Sequence, residues 1–393
     1  MKPVVLAKFD EGGPLAQLPD GTLMAPFVRN IDDVQETVAL FSKDNGYSWS
    51  EPKTLFKLPT EPGRWGGCEV LVDRDGEVHL FFLKWREGRE YLDIWQSKSM
   101  DGRKIWQTPK CVWKGYCGSL NSVIQLRNGR ILLPFECLKT RNWAWGIDGL
   151  TYMGMFSCKA LYSDDAGDTW HLAPADLRAP VPNLLTYGAN EPVVIELKDG
   201  RVWMLMRTQM GRLYESFSKD GVTWSQPQPT RLISSDSPVG LIRLKDGQIV
   251  LLWNCCLRFP YAYGGRHVLH VAVSEDEGLT WRGYREVFRD PYRDQTPPPQ
   301  IDFGTAYPFP ALTKNSKVIF STGQGPGRRG LVLLDPEWLY ETYQKDDFSA
   351  GLDEWTIFGT MGVDLAPHPE KEGAQVLRIR KTHADWPAAA VWN

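Results

Sequence analysis

Along residues 15–27 the chain reads LAQLPDGTLMAPF, two apolar stretches that flank an Asp-Gly pair. The same arrangement returns as EVLVDRDGEVHLFF (69–82), SVIQLRNGRILLPF (122–135), PVVIELKDGRVWML (192–205) and GLIRLKDGQIVLLW (240–253). A looser copy is PALTKNSKVIFST (310–322). Asp-Gly and Asn-Gly between alternating apolar runs are strong hairpin signals, because both turn residues must accept positive φ. The pattern predicts six hairpins, repeated at intervals of about fifty to seventy residues.

A second repeat lies between these hairpins. Ser42-Lys43-Asp44-Asn45-Gly46-Tyr47-Ser48-Trp49 recurs as 163–170 (SDDAGDTW) and 274–281 (SEDEGLTW). A copy one residue shorter is 218–224 (SKDGVTW), and a degenerate one runs from Ser99 through Asp101 to Trp106. The pattern S-x-D-x-G-x-T-W suits a turn between two outer strands. Ser and Asp oxygens would accept the turn's own N–H groups, Gly would take the left-handed position, and Trp would pack back over the hairpin. The Asp-rich copies lack the spacing and terminal Glu of a calcium loop, so they read as structural turns.

An inner plus an outer hairpin makes four strands per period. Six periods predict an all-β chain, a six-bladed β-propeller whose blades bury their faces against one another. Only Pro336 to Tyr343 offers a short helical alternative, and the last blade is expected to end near Asp335. The repeat is lost from about Asp347. The expected organisation is a propeller over 1–346 and a C-terminal β segment over 347–393, a cap or part of a small β-sandwich.

Composition narrows the partners. Lys and Arg total 45 against 48 Asp and Glu, a net charge of −3, which argues against nucleic acid or an anionic membrane as the main partner. The longest apolar runs, such as 249–253, are strand-sized and none spans a bilayer as a helix. The apolar stretch before Lys8 is too short for a secretory leader, so the expected compartment is the cytoplasm, or an extracytoplasmic one if the sequence begins after a removed leader. The seven cysteines are scattered and odd in number, with no Cys or His spacing of a metal site. Reduced, mostly buried thiols are expected, with no metal and no cofactor.

The Ser-x-Asp-x-Gly-x-Thr-Trp turns resemble the Asp-box repeats of the sialidase (neuraminidase) superfamily, over about residues 15–335. The resemblance implies a site at the mouth of the propeller. Asn190-Glu191-Pro192 followed by Met206-Arg207 is similar to the family's Glu and Arg element. Arg266, a few residues before the 274–281 box, matches a second Arg, and Tyr307 in Gly304-Thr305-Ala306-Tyr307 matches the family's Tyr. By that resemblance Tyr307 is the nucleophile, Glu191 its base, and Arg207 and Arg266 hold a substrate carboxylate. The chemistry is coherent, since guanidinium groups offer paired donors to a carboxylate. A neutral Tyr also escapes the repulsion that a carboxylate nucleophile would meet beside an acidic anomeric carbon.

Two positions depart from the family. Met24 stands where its first Arg is expected, leaving Arg29 or Arg64 as substitutes. The acid would be Asp32 or Asp33, on a short loop after the first hairpin. Further mouth candidates are Glu69 and Asn121 at blade entrances, and Glu136 and Asn254 at hairpin ends comparable with Arg207. Trp65, Trp85, Trp143 and Trp145 are available to stack on sugar. The expected substrate is a carbohydrate bearing a carboxylate, hydrolysed from a chain end with retention. The alternatives are a polysaccharide lyase acting at a uronic acid, with Tyr307 or a His such as His267 or His270 handling the proton, and a non-catalytic carbohydrate-binding propeller. The sequence leaves the oligomeric state open.

Overall fold

The structure is a computed structural model that describes residues 2–9, 12–31, 34–60, 62–86, 91–100, 104–146, 149–181, 187–255, 265–293, 295, 303–343, 345–353, 355–358, 362–381 and 389–392; the side chains of 8, 139–154, 356, 358 and 389–392 are not described. The chain divides into two compact units, Met1–Leu339 and Tyr340–Asn393.

The first unit is a six-bladed β-propeller. Blade one is built from Ala16–Gln17, Leu23–Ile31, Val34–Ser42 and Lys53–Lys57, paired in chain order. Blade two runs from Arg64–Val72 outward, and its outermost strand is broken into Ile105–Trp106 and Lys110–Trp113, both on Leu92–Met100. Blades three, four and five open with Ile124–Gln125, Asn190–Glu196 and Gly240–Arg243. The predicted hairpins thus supply the inner strands. The short helical segment is a 3-10 turn, Pro336–Tyr340.

Blade six shows what the repeat did not reveal. Its three later strands, Phe309–Leu312, Val318–Thr322 and Gly330–Leu334, are completed by Val4–Lys8, antiparallel to Gly330–Leu334. The N-terminal VVLAK is therefore the closing strand of the ring. It supplies the outermost strand of blade six, so that the first and last parts of the chain are joined in one sheet.

Neighbouring blades share their cores. Phe81, Leu83 and Ile94 of blade two pack with Ile131, Leu133 and Phe135 of blade three. Leu23 and Ala25 of blade one pack with Ile319, Leu331 and Leu333 of blade six. Burial of alternate residues on both faces fits strands wedged between two sheets.

The outer turns at 42–49, 163–170, 218–224 and 274–281 form as predicted, with one refinement, while the degenerate copy at Asp101 lies outside the described residues. Ser42 Oγ donates to Asp44 Oδ1 at 2.8 Å and accepts the Gly46 N–H at 2.8 Å, while Trp49 Nε1 donates to the Gly46 carbonyl at 3.0 Å. Two successive residues are left-handed, Asn45 at φ 63° and Gly46 at 95°. The shorter copy lacks the first of these and turns on Gly221 alone, at φ 75°.

The second unit contains two antiparallel pairs, Trp355–Phe358 with Ala389–Trp392 and Val363–Pro367 with Gln375–Ile379. Phe348 stacks on Trp355, whose Nε1 donates to Asp346 Oδ2 at 2.7 Å.

Candidate active site

The inner strand of blade four starts irregularly. Its pairing with Val202–Arg207 shifts between Asn190 and Val193, so Glu191 and Pro192 form a bulge. Proline has no N–H to give the ladder, and a bulge re-aims the side chains it carries. Glu191 accordingly sits at φ 45°. Arg207 ends the neighbouring strand, directly across from Asn190. Tyr307, at φ 63°, precedes the inner strand of blade six. Three residues earlier Gly304, at φ 98°, packs so tightly that a Cβ would lie 2.3 Å from the Arg266 carbonyl. Only glycine permits that approach, and it carries the Tyr307 loop against Arg266.

These elements bring four predicted residues into one cluster. The Tyr307 hydroxyl donates to Glu191 Oε1. Arg207 Nη1 donates to Glu191 Oε2 at 2.5 Å and lies 3.4 Å from the Tyr307 oxygen. Arg207 Nε donates to Asp236 Oδ1 at 2.5 Å. Arg266 donates through Nε and Nη2 to the Asp236 carbonyl, at 3.2 and 2.8 Å, and through Nη1 to Gln324 Oε1 at 2.7 Å. Its guanidinium carbon is 5.7 Å from the Tyr307 ring centre.

Burial sets the electrostatics. It pushes the Tyr307 hydroxyl well above the ordinary phenol range, and the Glu191 charge adds to this, so the resting phenol is neutral. Burial works against the charge on Arg207, but the carboxylates of Asp236 and Glu191 outweigh it and hold the guanidinium above its usual value. Asp236 is also penalised by burial, and Arg207 overcomes this to keep it below the usual carboxylate range. Two guanidiniums, Asp236 and Glu191 thus make a compensated cluster, which a buried group of charges requires.

Beside the cluster opens a cleft of about 490 Å³ whose wall includes Tyr307, Gln324, Asn30, Arg64, Trp85 and Arg329. Polar groups and aromatics converging on one concavity suit a sugar. Among the described residues no group of three or more His, Cys, Asp or Glu has metal-site geometry.

The remaining sequence candidates divide. Arg64 lines the cleft, but Arg29 is instead held by Glu36, with Nε and Nη2 at 3.0 and 2.6 Å from Oε1. Met24 is a core residue, 1% exposed. Glu69 and Asn121 face a separate axial cavity of about 120 Å³, to which every blade contributes an inner-strand residue or a residue just before one. Burial pushes the Glu69 carboxyl up to about 8. Asn254 is fully buried scaffolding: it accepts from Ser237 Oγ at 2.6 Å and donates to the Val268 carbonyl and Thr305 Oγ1. Glu136 is absent from the cleft wall and accepts the Glu191 N–H at 2.7 Å. Trp65 and Trp85 both line the cleft, but Trp65 is 2% exposed, edge-on against Phe82 and Trp95. His270 is stacked on Tyr284. Asp32 and Asp33 lie outside the described residues, as do the side chains of Trp143 and Trp145.

Sequence reasoning missed Asp236, Gln324 and Arg329. Asp236 lies four residues before the inner strand of blade five, a blade-entrance position like those of Glu191 and Tyr307, and that offset could have flagged it.

Comparison with known proteins places this geometry in context. The family described as "BNR repeat-like domain" matches residues 21–319. A sialidase of Clostridium perfringens is 23% identical over 283 residues, covering 66% of this chain and 68% of that protein. A structure of a protein of unknown function from Dyadobacter fermentans aligns with a TM-score of 0.60 at 18% identity, covering 85% of this chain and 98% of that one. A mutant of the NanB sialidase of Streptococcus pneumoniae aligns with a TM-score of 0.57 at 14% identity, covering 82% and 68%.

Proposed function

The chain belongs to the BNR repeat-like domain family, and from that premise we propose that it is a sialidase-type exo-glycosidase that removes a terminal acidic sugar with retention. The observation that carries this reading is the buried Tyr307–Glu191–Arg207 cluster at the edge of a polar cleft.

In this reading the Tyr307 oxygen attacks the anomeric carbon while Glu191 takes the phenol proton. The bond to the leaving oxygen breaks, and that oxygen takes a proton from Asp32 or Asp33. Water then gives a proton to that same Asp carboxylate as it attacks the carbon from the side the aglycone left, and the tyrosyl oxygen departs and regains its proton from Glu191. Two inversions give net retention. Arg207 and Arg266 stabilise phenolate character at Tyr307 and face the sugar's carboxylate. The relatives' names support an acidic sugar, since two of the three are sialidases.

A lyase acting at a uronic acid is the second reading, favoured by one observation. Met24 is core, so no blade-one arginine completes the clamp that the resemblance implies. The test is to incubate the protein with an aryl α-sialoside and, in parallel, uronate oligosaccharides. Sugar release that disappears in Tyr307→Phe supports the glycosidase. A new unsaturated-uronate absorbance without release from the sialoside supports the lyase and overturns the nucleophile role of Tyr307. No product from any substrate leaves carbohydrate binding alone.

A further inference from the structure

The bulge at Glu191 creates a problem that the blade itself does not solve. The ladder is interrupted between Asn190 and Val193, and Pro192 contributes no N–H. The Glu191 amide is thereby withdrawn from strand pairing in a residue only 5% exposed. An unpaired buried N–H is costly, because its lost hydration goes uncompensated. Its partner comes from the preceding blade: Glu136, 3% exposed on the strand Ile131–Gly146, accepts the N–H at 2.7 Å through Oε2.

The neighbourhood of Glu136 is built around this contact. Its Oε1 lies where a side chain at position 118 would start, so that a Cβ on Gly118 would be 1.8 Å away. Only glycine at 118 leaves room for the carboxyl in this place. The Glu191 amide and the bare backbone of Gly118, from separate segments, thus close around one carboxyl that does not line the cleft.

We propose that Glu136 is a positioning residue: by accepting the Glu191 amide across the blade-three to blade-four boundary, it holds the bulge that aims the Glu191 carboxylate at Tyr307 and Arg207. Its role is distinct from binding substrate, and Gly118 belongs to the device because any larger residue there displaces the carboxyl. The consequence for turnover rests on the proposed role of Glu191 as base; the consequence for the backbone does not.

The test compares Glu136→Leu with Glu136→Gln in the full chain. Gln keeps a carbonyl that can accept the Glu191 N–H, whereas Leu fills similar space with no acceptor. Hydrogen exchange is followed by mass spectrometry in peptides spanning Glu191, with kcat and KM on the hydrolysed substrate alongside. Exchange at the Glu191 amide should accelerate about tenfold or more in Glu136→Leu, as expected for a lost buried hydrogen bond, and stay near wild type in Glu136→Gln. The fall in activity should lie in kcat with KM little changed, and Gln should restore most of it. Equal protection in all three proteins, or Leu performing as well as Gln, overturns the proposal. If Glu136→Leu does not fold, Gly118→Ala carries the test, with faster Glu191 exchange expected and unchanged protection overturning it. A wild type that hydrolyses nothing refutes the glycosidase reading, while the exchange comparison still decides the role of Glu136.

Discussion

The phenol of Tyr307 on blade six donates its proton to the Glu191 carboxylate of blade four, and both backbones are left-handed, at φ 63° and 45°. For non-glycine residues each such conformation costs on the order of 1–3 kcal/mol, a cost that surrounding structure must offset. Two strained residues meeting through one hydrogen bond mark a preorganised pair. Their effects should not add. Tyr307→Phe is expected to abolish turnover, and Glu191→Gln to lower kcat by roughly 10²–10⁴-fold, the usual worth of a general base. The double variant should be no worse than Tyr307→Phe alone, because the base has no task without the nucleophile. Independent, multiplying losses in steady-state assays would show that the two residues do not act as one unit.

Asp236 is the stabilising member of the cluster. It is fully buried, and Arg207 Nε, its Oδ1 partner, is 4% exposed in its side chain. Asp236→Ala would leave that guanidinium paired with Glu191 but without its second described carboxylate. Breaking such a buried pair costs about 3–5 kcal/mol. Asp236→Asn retains an acceptor and should cost less. Urea unfolding midpoints of the two variants decide this, and an alanine variant as stable as wild type would show that the cluster tolerates uncompensated charge.

What the sequence made legible follows from periodicity. Hairpin turns and Ser-Asp-Gly-Trp boxes recur along the chain, so the blades could be counted, and the family resemblance carried by those boxes then pointed to Glu191, Arg207, Arg266 and Tyr307. What it hid depends on partners remote in sequence. VVLAK is a strand only because Gly330–Leu334 needs a neighbour. Asp236 sits in the loop segment SSDSPV, where nothing periodic distinguishes a core carboxylate from a surface one. Arg29 and Arg64 are both exit or entrance arginines of early blades, yet Glu36 stands directly across from Arg29 in the register and takes its guanidinium. Residue type and position nominated both, and only the pairing register separated them.

Glu69 carries a pH signature. Its Oε2 is buried without a hydrogen-bond partner among the described residues, and burial raises the carboxyl from 4.5 to about 8. In the folded protein it keeps its proton where the unfolded chain has already lost one. The folded state therefore binds more protons between those two values, and stability falls as pH rises through that window. The loss approaches about 1.4 kcal/mol per pH unit for one such group, and is absent below about pH 4.5. Glu136, also raised to about 8 by burial and by the neighbouring Glu191 charge, adds to the same slope. Urea unfolding at pH 5, 6.5 and 8 should show wild type losing stability faster than Glu69→Gln. Parallel slopes would mean that Glu69 is ionised in the folded protein.

Met24→Arg looks from the sequence like a repair, since it would supply the blade-one arginine that the sialidase resemblance calls for. The structure predicts the opposite. Met24 is 1% exposed, its strand neighbour across the ladder is Ala16, and it packs in the cluster of Trp65, Leu80 and Phe82. None of those side chains offers a carboxylate, so an arginine there would bury a charge without a partner. The variant should be destabilised by several kcal/mol, about the level reserved for unpaired buried charges. It should gain no affinity for an acidic sugar. A thermal melt and a KM on the hydrolysed substrate check both halves. A stable Met24→Arg protein with a lower KM would mean that the inner strand of blade one can rotate this position into the cleft, and that the clamp lacks only its residue.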